Sequence, residues 1–112
     1  MVSSRAKGMR NERRAQKELE AEGWLIHRAR GSTMYNREVD IFGIWDMLGI
    51  KQVYFPEPKT IIICVQIKTN RKPNRDVFRR FKQCYPSINC QLWIWWEKGK
   101  RKSKKGWEKI IL

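Results

Sequence analysis

Between positions 61 and 68 the chain reads Ile61-Ile62-Ile63-Cys64-Val65-Gln66-Ile67-Lys68. Counting in twos places Ile61, Ile63, Val65 and Ile67 on one face of a strand and Ile62, Cys64, Gln66 and Lys68 on the other. Both faces begin apolar, which predicts a central strand covered on both sides. Gln66 and Lys68 then share one face at its end, where polar groups are costly unless something pairs with them. The segment before it, Glu38 to Trp45, alternates poorly and is rich in large apolar residues, so it predicts a second strand with Asp40 near its start. Val53-Tyr54-Phe55 extends that hairpin, and Pro56 to Lys59 turns the chain into the central strand.

The pattern elsewhere supplies the remaining elements. Residues 4–22 predict a helix ended by Gly23, a residue suited to the left-handed position after a helix. Its inward stripe reads Gly8, Glu12, Ala15 and Leu19, which puts Glu12 where an apolar residue is expected. Trp24 to Arg28 predicts a first strand. Asn74 to Tyr85 predicts a second helix with Val77, Phe78, Phe81, Cys84 and Tyr85 on one face. Gln91 to Trp96 and Trp107 to Leu112 predict two further strands, joined by a basic hairpin loop over 98–105. The result is an α/β chain in the order αβββαββ. Its aromatic strand residues Trp93, Trp95, Trp96 and Trp107 are expected in a core or between subunits rather than stacked on bases.

Composition narrows what such a fold does. The 112 residues suffice for one modest domain, and 25 Lys and Arg against 11 Asp and Glu leave a formal charge of +14. That balance points to a polyanionic partner. No run approaches the length of a membrane span, and the N-terminal residues lack the apolar core of a secretory signal, so a cytoplasmic protein without a membrane partner is expected. Cys64, Cys84 and Cys90 form no C-x-x-C pair, and beside the single His27 they make no convincing zinc set. All three are expected as reduced, mostly buried fillers. The loop from Ala29 to Arg37, with Arg30, Ser32 and Thr33, has the guanidinium and hydroxyl groups that bind phosphate, and Arg71 and Lys72 continue the basic character after Lys68.

The polar groups stranded in apolar surroundings form one constellation. Glu12, Asp40 and Gln66, with the main-chain carbonyl of Ile67, offer oxygen ligands to a hard cation such as Mg²⁺, which takes few protein ligands and keeps several waters. Lys68 beside them suits orienting a water or stabilising charge on a phosphate under attack. The chemistry that follows is hydrolysis of a phosphodiester.

The spacing Lys7-Gly8-x-x-x-Glu12-Arg13, then Arg28-x-x-Gly31-Ser32, Val39-Asp40 and Gln66-x-Lys68 resembles the archaeal-type Holliday junction resolvases of the PD-(D/E)XK nuclease superfamily. The resemblance implies a restriction-endonuclease-like core with a central mixed five-stranded sheet flanked by helices. It also implies a homodimer in which each subunit contributes one Mg²⁺-dependent site, with Mn²⁺ as a substitute, to cut opposing strands of a four-way DNA junction. On that likeness Glu12, Asp40, Gln66 and Lys68 are catalytic, Arg13 and Arg28 assist with phosphate, Ser32 lies in a catalytic loop, and Lys7, Arg30, Arg71 and Lys72 contact DNA. Two departures stand out: Val39 replaces the Pro of the motif, and Gln66 replaces its second acid, removing one negative charge from the metal site. Two other readings share these features: a related nuclease acting on duplexes, flaps or single strands, and a basic module that binds nucleic acid without cutting it. The expected dimer draws its interface from Trp93 to Trp96, Trp107 to Leu112 and the Phe78/Phe81 helix, because six Trp exceed what one small sheet can readily hide.

Overall fold

The computed structural model describes residues 4–29, 40–97 and 106–112. The helix α1 (Ser4–Ala21) is followed by strands β1 (Leu25–Arg28), β2 (Met47–Val53) and β3 (Lys59–Thr69), then helix α2 (Asp76–Cys84) and strands β4 (Asn89–Trp96) and β5 (Gly106–Ile111). The five strands form one sheet in the spatial order β1-β2-β3-β4-β5. Only β3 and β4 run parallel, with Gln66 opposite Leu92 and Lys68 opposite Ile94, and the other three pairs are antiparallel. The α/β class and the mixed five-stranded sheet therefore hold. β3 is the central strand, as its two apolar faces predict.

The period of two along β3 divides the core into two layers. Ile63, Val65 and Ile67 face α1 and pack with Ala15, Leu19, Met47 and Trp93. Cys64 faces the other way, into a cluster with Trp45, Phe78, Cys90 and Leu92 beneath α2. The helix α1 ends where expected: Gly23 sits at φ +97°, the left-handed region that glycine enters at little cost. Its buried stripe, however, is Asn11, Ala15 and Leu19, and Glu12 lies at the edge of that stripe, half-buried. Asn11 repays its burial by donating from Nδ2 to Thr69 Oγ1 at 2.7 Å, which fastens the N-terminal half of α1 over the end of β3.

The stretch around Asp40 departs from the expected strand. Ile44 N–H donates to Ile41 O at 3.1 Å, and both central residues of that turn, Phe42 (φ 53°) and Gly43 (φ 75°), have positive φ, as in a type I′ turn. Ile41 and Trp45 bridge across it through two backbone hydrogen bonds of 2.7 and 2.9 Å. A continuous strand over 38–45 is thus replaced by a reversal, and β2 begins only at Met47. The reason is local: Phe42-Gly43 supplies one glycine to the turn, and burial of Trp45 in the α2-side cluster compensates the strain of a bulky residue at positive φ.

The C-terminal strands also differ from expectation. Trp93 and Trp96 retain 2 % and 3 % exposure within a single chain, and Trp107 packs edge-on against both Trp93 and Trp95. These indoles fill the chain's own core, so no surplus of tryptophan surface on β4 calls for a second subunit. Of the cysteines, Cys64 and Cys90 are buried, whereas Cys84 is exposed at the end of α2. Among the described residues no helix is long and apolar enough to cross a membrane.

Candidate active site

At the C-terminal end of β3 the sequence leaves its polar side chains inside. Gln66 is 7 % exposed, and its Oε1 has no hydrogen-bond partner among the described residues. Among the described residues only one other buried side-chain polar atom shares that condition, Nε1 of Trp45, which precedes Asp46. An amide oxygen held without a partner costs about 1–3 kcal/mol, so its retention calls for a reason outside packing.

Asp46 is the residue that the sequence reading passed over. It is 9 % exposed and immediately precedes β2, whose first residue Met47 registers with Val65, so Asp46 lies beside Gln66. The Ile67 N–H donates to Asp46 Oδ2 at 2.8 Å, and Asp46 N–H donates to Val65 O at 3.1 Å. Ile67, expected to offer its carbonyl, also contributes its N–H to the site. The turn at 41–44 explains the rest of the arrangement, because Asp40 and Asp46 are the residues just outside the Ile41–Trp45 bridge and therefore face each other across the reversal.

These carboxylates act on one another's charge. Burial pushes the Asp46 carboxyl up to about 7 from an ordinary 3.8; the Ile67 N–H opposes this, Glu12 and Asp40 add to it, and Lys68 opposes it. Glu12 is also raised, chiefly by burial, with Arg28 lowering it and Asp40 raising it. Carboxylates that disfavour one another's charge bind a proton or a cation more readily. Glu12 on α1, Arg28 on β1, Asp40 and Asp46 on either side of the 41–45 reversal and Lys68 on β3 therefore lie within electrostatic reach of at least one other member of this set.

The donor chemistry is that of a hard cation: carboxylates and an unpartnered amide oxygen, with neither Cys nor His among them. Among the described residues no three Asp, Glu, His or Cys side chains close around a single point as in a preformed metal cage. The carboxylates are coupled by charge rather than locked together, and Gln66 Oε1 is the oxygen that the protein itself leaves unsatisfied.

The other expected contact residues fall into three groups. Arg30 and Ser32 lie outside the described residues, as does the basic 98–105 loop. Lys7 pairs with Glu97 at 3.2 Å and Lys72 with Glu108 at 3.3 Å, both on the surface. Such pairs contribute about 0–1 kcal/mol and yield readily to a phosphate. Arg13 and Arg71 are exposed. The end of β3 is further pinned by Asn70, at φ 61°, which donates from Nδ2 to Glu97 Oε1 at 2.7 Å and accepts the Glu97 N–H at 2.9 Å. Trp95, opposite Thr69 in the β3–β4 register, is covered by the Arg14 guanidinium 3.7 Å above its ring rather than open to bases.

The signal that would have found Asp46 is the one that singled out Asp40. A carboxylate enclosed by Ile44-Trp45 and Met47-Leu48 is as poorly placed for solvent as one enclosed by Val39 and Ile41-Phe42. No protein-family model, curated protein or solved structure matches this chain, so the site rests on its own residues.

Proposed function

We propose that the chain is a Mg²⁺-dependent endonuclease that cuts DNA by hydrolysing phosphodiesters, with four-way junctions as its substrate. One observation carries this reading: the buried Asp46 carboxylate lies within the electrostatic reach of Glu12, Asp40 and Lys68 and, by strand register, beside Gln66 with its unpartnered Oε1, in a chain of charge +14. A module that merely holds DNA needs the positive charge but gains nothing from half-buried and buried carboxylates, which repel phosphate and destabilise the fold.

Asp46, Asp40, Glu12 and Gln66 Oε1 are the groups that would hold the cation. Bound there, Mg²⁺ supplies charge neutralisation at the phosphate and a more acidic water. Lys68 faces the phosphate as a fixed positive charge and stabilises the negative charge that develops as the bond breaks. Arg28, already coupled to Glu12, orients that carboxylate and stands ready for a phosphate oxygen. Asp46 is held in a single orientation by the Ile67 N–H, which fixes an oxygen of the site to the backbone of the strand carrying Gln66 and Lys68.

The junction preference and the homodimer rest on the motif spacing described above and on symmetry. Two equivalent scissile strands are met by two equivalent sites related by a two-fold axis. With the tryptophans committed to the core, β5, one of the two edge strands and the one that carries the exposed Ile111, offers a contact. Light scattering across a dilution series is expected to give twice the chain mass. A strictly monomeric mass at micromolar concentration, with cleavage intact, overturns the paired incision.

The deciding assay incubates a synthetic four-way junction, a duplex and a single strand, each with Mg²⁺ and with EDTA. Paired, Mg²⁺-dependent cuts in the junction alone are expected. Cutting of the duplex or single strand in preference moves the substrate to a different DNA, and binding without cutting under every condition refutes the nuclease.

A further inference from the structure

Beside the candidate active site, on the α2 face of the sheet, the connection from β3 to α2 encloses an open pocket of about 320 Å³. Its lining is Lys68, Arg71, Lys72, Pro73, Asn74 and Phe78. Three cations stand against one aromatic ring and one proline, with no acid among the lining residues. We propose that this pocket is a subsite for a nucleotide bearing a terminal phosphate monoester, seated next to the position at which the strand is cut.

The lining chooses the ligand. The volume is at the small end of ligand pockets, which run to about 300–1000 Å³, and suits a single nucleotide rather than a duplex. Phe78 and Pro73 give the sugar and base an apolar wall, and Phe78 is held rigid by Trp45, 5.0 Å away between ring centroids. Asn74 Oδ1 already accepts the Asp76 N–H at 2.9 Å, so the group Asn74 has left for a ligand is a donor, its Nδ2. Lys72 is partly compensated by Glu108 at 3.3 Å. Lys68 is shared with the Asp46 carboxylate, and Arg71 is the exposed, forked donor that matches phosphate oxygens in pairs. A diester carries about one charge and a terminal monoester about 1.5 to 2, so two or more cations around one group favour the monoester.

Lys68 belongs to both the pocket and the candidate cleavage site. A nucleotide in the pocket is thereby the end of a strand abutting that site. The proposal shares the DNA-acting reading above but does not require cleavage, so it is tested with the full chain in EDTA. Thymidine 5′-monophosphate, thymidine and inorganic phosphate are titrated calorimetrically, as are single strands of eight nucleotides ending in a 5′-phosphate or a 5′-hydroxyl. The monophosphate is expected to bind at least roughly tenfold more tightly than either thymidine or inorganic phosphate, the scale of one charge-assisted hydrogen bond set together with an apolar contact. Arg71→Ala should weaken it by roughly tenfold or more, and Arg79→Ala, which removes an equal charge from the exposed side of α2, by less than about twofold.

The two sources of a phosphate monoester separate in the same experiment. A gain confined to the 5′-phosphorylated strand assigns the pocket to strand ends, and a gain confined to the free mononucleotide assigns it to a product or small-molecule ligand; either supports the subsite. Equal binding of monophosphate and inorganic phosphate together with equal binding of the 5′-phosphate and 5′-hydroxyl strands, or equal losses in the Arg71 and Arg79 variants, overturns it and leaves diffuse charge. Failure of the nuclease would appear separately, as intact nucleotide binding without cleavage of any DNA.

Discussion

Replacing Asp46 by Asn should stabilise this protein at neutral and alkaline pH, and the structure gives the size of the effect. In the unfolded chain the carboxyl titrates near 3.8; in the folded one burial and the neighbouring Glu12 and Asp40 push it up to about 7. Between these values the folded protein holds a proton that the unfolded chain has released, so stability falls as pH rises through that window and stays low above it. A displacement of this size corresponds to an upper bound of about 4 kcal/mol at pH 8, with relaxation and hydration reducing it to a few kcal/mol. Asparagine keeps an oxygen to accept the Ile67 N–H, 2.8 Å from Asp46 Oδ2, and removes the charge. Urea unfolding at pH 4, 6 and 8 reads the effect directly. The two proteins should differ little at pH 4 and diverge at pH 8, with Asp46→Asn the more stable by roughly 2–4 kcal/mol. Mg²⁺ at pH 8 should raise the midpoint of the wild type and leave the variant nearly unmoved, since a ligand stabilises only the state that binds it. A wild type no less stable than Asp46→Asn at pH 8 would show that the carboxylate is neither desolvated nor crowded by its acidic neighbours, and the site as described would fail.

Asp40→Asn and Lys68→Ala should each lower the cleavage rate by at least ~10²-fold while leaving DNA affinity within a few fold, the pattern of groups that act in the transition state; full activity in either variant removes the nuclease assignment. DNA binding in EDTA should weaken with salt, with log K falling by about 0.9 per unit of log salt for each phosphate neutralised; a salt-independent Kd excludes the basic surface as the contact. Gly49→Ala should cost about 1–3 kcal/mol, because the added methyl would lie 2.7 Å from Ile26 Cδ1 and 2.8 Å from Ile63 Cγ2, and the β-branched Ile63 has little freedom to yield. Unchanged thermal unfolding would mean that β1 and β3 shift to admit it.

The sequence by itself determined the features whose cause is local or periodic. The run from Ile61 to Lys68 is apolar on both faces, and only a strand covered by a layer on each side satisfies that pattern; the structure places it at the centre of the sheet. Gly23 ended α1, since only glycine enters the left-handed region there at little cost. Asp40 and Lys68 stood out because a charged group beside apolar neighbours must find a partner in any fold. The tertiary structure decided what depends on residues distant in the chain. Periodicity did not reveal that Phe42-Gly43 closes a turn, because the hydrophobicity of Ile41 to Trp45 comes from packing under α2 and not from a strand. Nor did it reveal the state of Asp46: burial raises its carboxyl and Glu12, 34 residues back, adds to that, while the N–H of Ile67, 21 residues on, opposes it, and all of these are brought together by strand register and helix docking. The tryptophans of β4 turned inward for the same reason. A side chain's exposure follows from the layer laid over it, and Trp93 is covered from the side of α1, far earlier in the chain, while Leu92 is covered from the side of α2.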